Sequence, residues 1–429
     1  MKPLSVIVIG CGNRGTAYAK IMAKDPEKFR IVGMADPIEA VRKSFRENYG
    51  LEESQCFSTW EDILEKPRFA DVAVIATMDR MHTAPAIKAM EAGYDLLLEK
   101  PAAPTAQECN EILQTARRTG RKVVVCHVLR YTPFYLGIKR IVDSGMLGQV
   151  LSVEHMEAVG NVHQSHSFVR GNWGNQQRSS SMLLQKCCHD LDILQWLLNK
   201  DCKRIQSFGA RTHFRQENAP EDAPERCTDG CPYAESCYYN AVKLYYDDKD
   251  NRWFRTTATK LPNPTDEEVL AALQNTQYGK CVYRCDNDVV DHQTVNMEFE
   301  GGTTVSMTMC AFTKGRRRTH LMGTKGELTA TMDAPPEKAY VFYDFATREE
   351  TYLDSASLFP DDTINGGHGG GDQGVVAALY DYLTGALSRE QVSEIEISCR
   401  NHMLVFAAEQ SRITGTVTDV QQFLNENMA

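Results

Sequence analysis

The chain reads as an α/β protein with an N-terminal Rossmann-type, doubly wound parallel sheet and a second domain whose hairpins supply an antiparallel sheet. Three observations carry that reading. The β-branched strand Val6–Ile9 runs straight into Gly10-Cys11-Gly12-Asn13-Arg14-Gly15 and then into helix formers. Short apolar strands alternate with helical patterns as far as Cys126, the βαβ rhythm of a parallel sheet. Later stretches, such as Val295–Glu300 and Thr304–Met309 around Gly301-Gly302, alternate with period two, as hairpins do.

Length and composition set outer bounds. The 429 residues suit two domains, here 1–127 and 128–429, the second with a cysteine-containing insert at about 215–265 and C-terminal helices. A net charge of −10 argues against a nucleic-acid partner. No apolar run approaches the length of a membrane span. The first apolar run is short and ends in glycines, which predicts a strand, not a signal peptide. Fourteen cysteines without a secretion signal point to reduced thiols and a cytoplasmic protein.

In the glycine turn, Gly10 permits the tight bend, Gly12 lets backbone approach a pyrophosphate, and Gly15 lets helix and strand pack. Asn13 and Arg14 complete the turn, and the helix N-terminus offers N–H groups to phosphate. A second strand, Ile31–Ala35, ends in Asp36, about 20 residues on. A carboxylate there accepts from the ribose hydroxyls and repels a 2′-phosphate, so NAD is expected over NADP. Asp71–Thr77 is a further strand, followed by a helix over Ala84–Ala92. Leu96-Leu97-Leu98-Glu99-Lys100-Pro101 is a buried strand that stops abruptly. Lys100 therefore lies at the sheet edge that holds ligands, near the nicotinamide half of the cofactor.

These glycines, the run Thr77…His82…Ala89…Ala92-Gly93, and Glu99-Lys100-Pro101 resemble the Gfo/Idh/MocA family. The resemblance implies a Rossmann domain joined to an α/β domain on a large, open, mostly antiparallel sheet. It implies cofactor contacts at Thr77, His82 and Glu99, a Lys100 that touches cofactor and substrate, and a Lys100–Pro101 bond that can be cis. It extends to Arg130-Tyr131-Thr132-Pro133, which opens the second domain.

In that domain Leu184, Leu191, Leu194 and Leu197 keep helical spacing, with Gln185, Lys186 and His189 between them. His189 matches the catalytic histidine of the family's helix. The family's aspartate four residues earlier is replaced by Gln185, which cannot ionise, so Lys186 becomes the candidate proton carrier. Two lysines and a histidine without a carboxylate would make the pocket electropositive and lower a lysine pKa; the alternative is that Lys186 pairs with Asp190. An unperturbed His189 would titrate near neutrality.

Arg130, Tyr131, Trp173 and His368 are the candidate substrate residues. Trp173 belongs to a polar, aromatic loop over 161–178, suited either to a polyhydroxylated ligand or simply to solvent. His368 sits in Gly366-Gly367-His368-Gly369-Gly370-Gly371, a flexible linker or a loop that closes on substrate. Arg316-Arg317-Arg318 reads as a solvated edge. Cys227, Cys231, Cys237 and Cys281 could form a structural zinc site, though their spacing is not a common finger pattern and buried thiols are the favoured reading. An iron–sulfur cluster is disfavoured because a ferredoxin ligand run is missing.

The expected activity is NAD-dependent oxidation of a secondary hydroxyl in a sugar, amino sugar or cyclitol by a homodimer or homotetramer assembled through the open sheet. Two alternatives stay open: glycoside cleavage through transient oxidation with no net redox change, and a nicotinamide-bound sensor without turnover.

Overall fold

The computed structural model describes residues 2–353 and 368–428. The first sheet has six strands: β1 (Leu4–Ile9), β2 (Phe29–Ala35), β3 (Cys56–Phe57), β4 (Val72–Ile75), β5 (Asp95–Leu98) and β6 (Val123–Val125). They are parallel and ordered β3-β2-β1-β4-β5-β6, the doubly wound arrangement. Helices cover both faces, which is why β4 and β5 can be almost wholly apolar and buried. The glycine turn is fixed sterically at two places. Gly10 adopts φ +86°, and a Cβ on Gly15 would sit 2.0 Å from the Gly10 carbonyl oxygen.

The second sheet has nine strands: β7 (Val150–Ala158), β8 (Cys202–Ala210), β9 (His292–Phe299), β10 (Thr304–Cys310), β11 (Arg316–Gly323), β12 (Gly326–Thr331), β13 (Tyr340–Asp344), β14 (Glu350–Leu353) and β15 (Thr418–Asp419). Their order is β14-β13-β12-β11-β7-β10-β9-β8-β15, antiparallel apart from β7 with β10. The expected hairpin is β9–β10, with Thr304 opposite Glu298 and Gly301 and Gly302 at positive φ. Against this sheet pack the helices Met182–Leu198 and Ile395–Thr414, which also pack on each other. No described helix is long and apolar enough to cross a membrane.

Two expectations need correction. The 161–178 segment is not a solvent-facing loop: Asn161–His163 is helical, continues as a π-helical turn over Gln164–Arg170, and that turn is buried throughout. The insert covers it, stacking Phe254 on His166 with ring centroids 3.9 Å apart, while His166 Nδ1 lies 2.7 Å from the Tyr245 hydroxyl. Nor is Arg316–Arg318 a sheet edge. β11 lies between β12 and β7, and the Arg317 side chain is only 13% exposed. Gly366 and Gly367 lie outside the described residues.

The Gly15 contact makes a direct test. Gly15→Ala forces backbone apart where helix meets strand, at a cost of about 1–3 kcal/mol. Denaturant unfolding should show that loss together with weaker dinucleotide binding; unchanged values for both would remove the steric role.

Candidate functional site

The glycine turn leaves the first amides of the helix Asn13–Ala23 without a side-chain cap or an acid in the first turn. An added Cβ on Gly12 would meet nothing within 4 Å, so space remains above those amides. Asp36, 7% exposed, accepts from Cys11 N and Ile38 N, one bond per carboxylate oxygen. An open N-terminus beside a positioned acid fits a dinucleotide's pyrophosphate and ribose. Arg42 lies alongside, its Nη1 donating to the Asp36 carbonyl at 2.7 Å.

Arg14 turns inward from this loop. Its Nε donates to Glu99 at 2.6 Å, its Nη1 and Nη2 to the Asp372 carboxylate at 3.0 and 2.7 Å, and its Nη2 also to the Tyr18 hydroxyl. Tyr18 Oη in turn donates to Glu99 at 2.7 Å. Burial alone would raise the Glu99 pKa, but Arg14 and Lys100 outweigh it and hold the carboxyl low. Asp372 is likewise held well below its usual range, burial being overcome by His368 and Arg14. Glu99 also accepts the Lys100 amide at 2.6 Å, which fixes the backbone of the next residue.

The Lys100–Pro101 bond is cis, and Lys100 Nζ donates to the Gln185 carbonyl at 2.8 Å, at the start of the helix Met182–Leu198. His189 follows one turn later, buried, with Nδ1 lacking a hydrogen-bond partner among the described residues. Its expected near-neutral titration does not hold. Burial first, then the charges of Lys100 and its neighbours, push the imidazole pKa well down. Both effects disfavour the charged imidazolium. Gln185 is not isolated from acids: its amide donates to the buried carboxylate of Asp79, which also accepts from Ser179 Oγ at 3.1 Å.

The pocket beside Lys186 is not free of carboxylates. Lys186 Nζ lies 3.4 Å from Glu157, on β7, rather than pairing with Asp190. Arg317 Nε sits 2.5 Å from Glu157 and 2.7 Å from Asp190, and His155 Nε2 is 3.0 Å from Asp190. Lys186, Glu157, Arg316, Arg317 and His368 line a cavity of about 240 Å³, which Lys100 and His189 do not line.

Other candidate residues have internal partners. His82 bridges two carbonyls, with Nδ1 2.7 Å from Pro101 O and Nε2 3.0 Å from Thr77 O. Thr77 Oγ1 donates to Met81 O at 2.8 Å, and Asn13 Nδ2 to Thr257 Oγ1 at 3.5 Å. Trp173 Nε1 reaches Asp79 at 3.4 Å. His368, 48% exposed at its side chain, stands 3.0 Å from Asp372 and 3.3 Å from Arg14. Tyr131 shares its hydroxyl with Ser393, Oη to Oγ 2.8 Å. Arg130 grips the buried Asp192 through two bonds of 2.6 and 2.8 Å. All fourteen cysteines are free thiols. Among the described residues no three His, Cys, Asp or Glu side chains converge on a single metal ion, so the zinc reading gains no support.

Glu157, Asp79 and Asp372 escaped the sequence reading. Only Glu157 left a signal, because Val153, His155 and Glu157 share the inward register of β7. The Arg130–Asp192 pair yields a prediction. Arg130→Ala strands a buried carboxylate and should cost about 3–5 kcal/mol in a denaturant titration. A variant of parental stability, altered only in KM, would instead make Arg130 a substrate residue.

Residues 4–127 match the NAD-binding Rossmann fold of the GFO_IDH_MocA oxidoreductase family, and residues 139–352 match its C-terminal alpha/beta domain. YteT of Bacillus subtilis (strain 168) is 26% identical over 415 residues, 88% of this chain and 91% of that one. Inositol 2-dehydrogenase of Salmonella typhimurium is 23% identical over 205 residues, 48% of this chain and 57% of that one. An oxidoreductase from Agrobacterium radiobacter, solved with NAD+, L-tartaric acid and magnesium, has the same fold. Its TM-score is 0.69 at 14% identity, over 98% of this chain and 99% of that one. With both of its domain models matched in order along the sequence, the chain belongs to the Gfo/Idh/MocA oxidoreductase family.

Proposed function

We propose that the protein oxidises a secondary hydroxyl of a sugar, amino sugar or cyclitol, using NAD. The observation that carries this reading is the pairing of Lys100 with the helix that presents a buried, uncharged His189 one turn on. NAD, when bound, supplies the hydride acceptor. Lys100 then holds the substrate oxygen and stabilises the alkoxide that develops as hydride leaves. His189 takes the hydroxyl proton, and the negative charge gathering beside it raises its affinity for that proton. Inositol 2-dehydrogenase among the relatives supports a polyol substrate.

Asp36 supports NAD over NADP, since a 2′-phosphate would face its carboxylate; Arg42 lies close enough for a titration against both cofactors to be the deciding measurement. Leu151, Phe208 and Tyr352, all exposed on strands of the nine-stranded sheet, support assembly through that sheet. The Lys186–Glu157 ion pair, which lines the neighbouring cavity, supports a role for Lys186 in proton transfer to a substrate group that reaches that cavity.

Lys100→Met should leave NAD affinity near the parent's and lower turnover by about 100-fold or more on a panel of inositols, sugars and sugar acids followed by NADH formation. Parental turnover would remove the assignment. Because His189 titrates low, kcat/KM for oxidation should stay level through about pH 6.5, where an ordinary histidine would protonate and switch off. A fall centred there would restore an unperturbed base.

A further inference from the structure

The cysteine insert forms a site that the oxidation chemistry does not use. A short antiparallel bridge joins the segments that carry Cys227 and Cys281. Cys227 N donates to Gly279 O and Cys281 N to Glu225 O, both at 2.9 Å, with Arg226 paired to Lys280 between them. Cys231 and Cys237 arrive on tight turns, Ala234 N donating to Cys231 O at 3.1 Å and Cys237 N to Tyr233 O at 2.9 Å. All four thiols line one cavity of about 20 Å³.

A second observation comes from Arg170, which lines the same cavity and is 1% exposed. Its Nε donates to Lys280 O at 2.8 Å and its Nη2 to Tyr239 O at 2.7 Å. Nη2 also stands 3.6 Å from Cys227 Sγ, while Nη1 has no partner among the described residues. No described carboxylate forms an ion pair with it. A buried guanidinium without an anion is expensive, so the cavity suits a negatively charged occupant. Tyr239 N adds a bond to Cys237 Sγ at 3.4 Å, a contact that favours a charged sulfur.

Size separates the candidates. A zinc ion holds its sulfurs at about 2.3 Å, which packs the four against one another with no water-sized gap between them. Here the thiols do not converge on one point, and the space they ring admits a water-sized sphere. We propose that Cys227, Cys231, Cys237 and Cys281 ligate a [4Fe–4S] cluster. Two ferrous ions, two ferric ions and four sulfides make up the core; each thiol releases its proton to water as its sulfur bonds one iron, and the resulting dianionic assembly faces the Arg170 guanidinium. The ferredoxin spacing is absent: three ligands follow a C-x3-C-x5-C spacing on tight turns, and the fourth comes from the separate segment that the bridge joins to Cys227. The cluster would brace the insert against the turn that ends at Arg170, a structural role apart from hydride transfer.

The test is anaerobic incubation of the full chain with equal amounts of ferrous and ferric iron and with sulfide, desalting, and metal and acid-labile sulfide analysis with visible and EPR spectra. The proposal predicts about four iron and four sulfide per chain and a visible charge-transfer band bleached by dithionite. Cys237→Ser and Cys281→Ser should lose most of the iron, whereas Cys310→Ser, at a thiol away from the cavity, should keep it. One zinc per chain in protein as isolated, or no retained iron after reconstitution of the unaltered chain, overturns the proposal even if the serine variants fail to fold.

Discussion

Glu99 is buried at the carboxyl end of β5, and Arg14 reaches it from the glycine turn at 2.6 Å. A carboxylate so placed costs several kcal/mol unless a cation and hydrogen bonds compensate. Arg14, Tyr18 and the Lys100 amide supply all of these. Asp372 holds the other edge of the same guanidinium. One charge cluster thus joins the dinucleotide turn, the strand that bears Lys100 and the glycine segment that bears His368. Lys100 is aimed at the helix Met182–Leu198 because the residue before it is anchored.

That helix is a second consequence of buried charge. His189, Asp190 and Asp192 are consecutive or nearly so, yet each meets a different neighbour. Asp190 turns to His155 and Arg317 on the large sheet, and Asp192 to Arg130 and Asn401. His189 lacks an acid of its own and sits beside Lys100 and His127, its ring centroid 5.8 Å from that of His127. Two ion-paired carboxylates fix the helix, while burial and then the Lys100 charge push the His189 imidazole pKa down.

What the sequence made legible follows from range. The glycine turn, Asp36 and the abrupt stop at Pro101 are local patterns, each constrained by neighbours a few residues away. The β9–β10 hairpin and the helix over Ala106–Thr119, capped by Thr105 and closed by Gly120, are local as well. Partners were not legible. Nothing near Lys186 points to Glu157 on β7, and Arg130 gives no sign that Asp192 lies against it. Arg317 looked solvated because its run of three arginines is indistinguishable from an edge strand until β12 pairs outside it. The 161–178 segment leaves ligand and solvent equally open in sequence because the aromatic residues that bury its π-helical turn, Tyr245 and Phe254, belong to the insert.

The central claim is that hydride leaves a substrate carbon held between Lys100 and His189. Its most direct test uses the alcohol that supports turnover, prepared with deuterium at its secondary carbons and incubated with NAD. Mass spectrometry of the reduced nicotinamide reads the transfer. The account predicts one deuterium in each reduced cofactor, and a slower reaction for the labelled alcohol. Reduced cofactor without deuterium, or product formed with no accumulation of reduced cofactor, would contradict it.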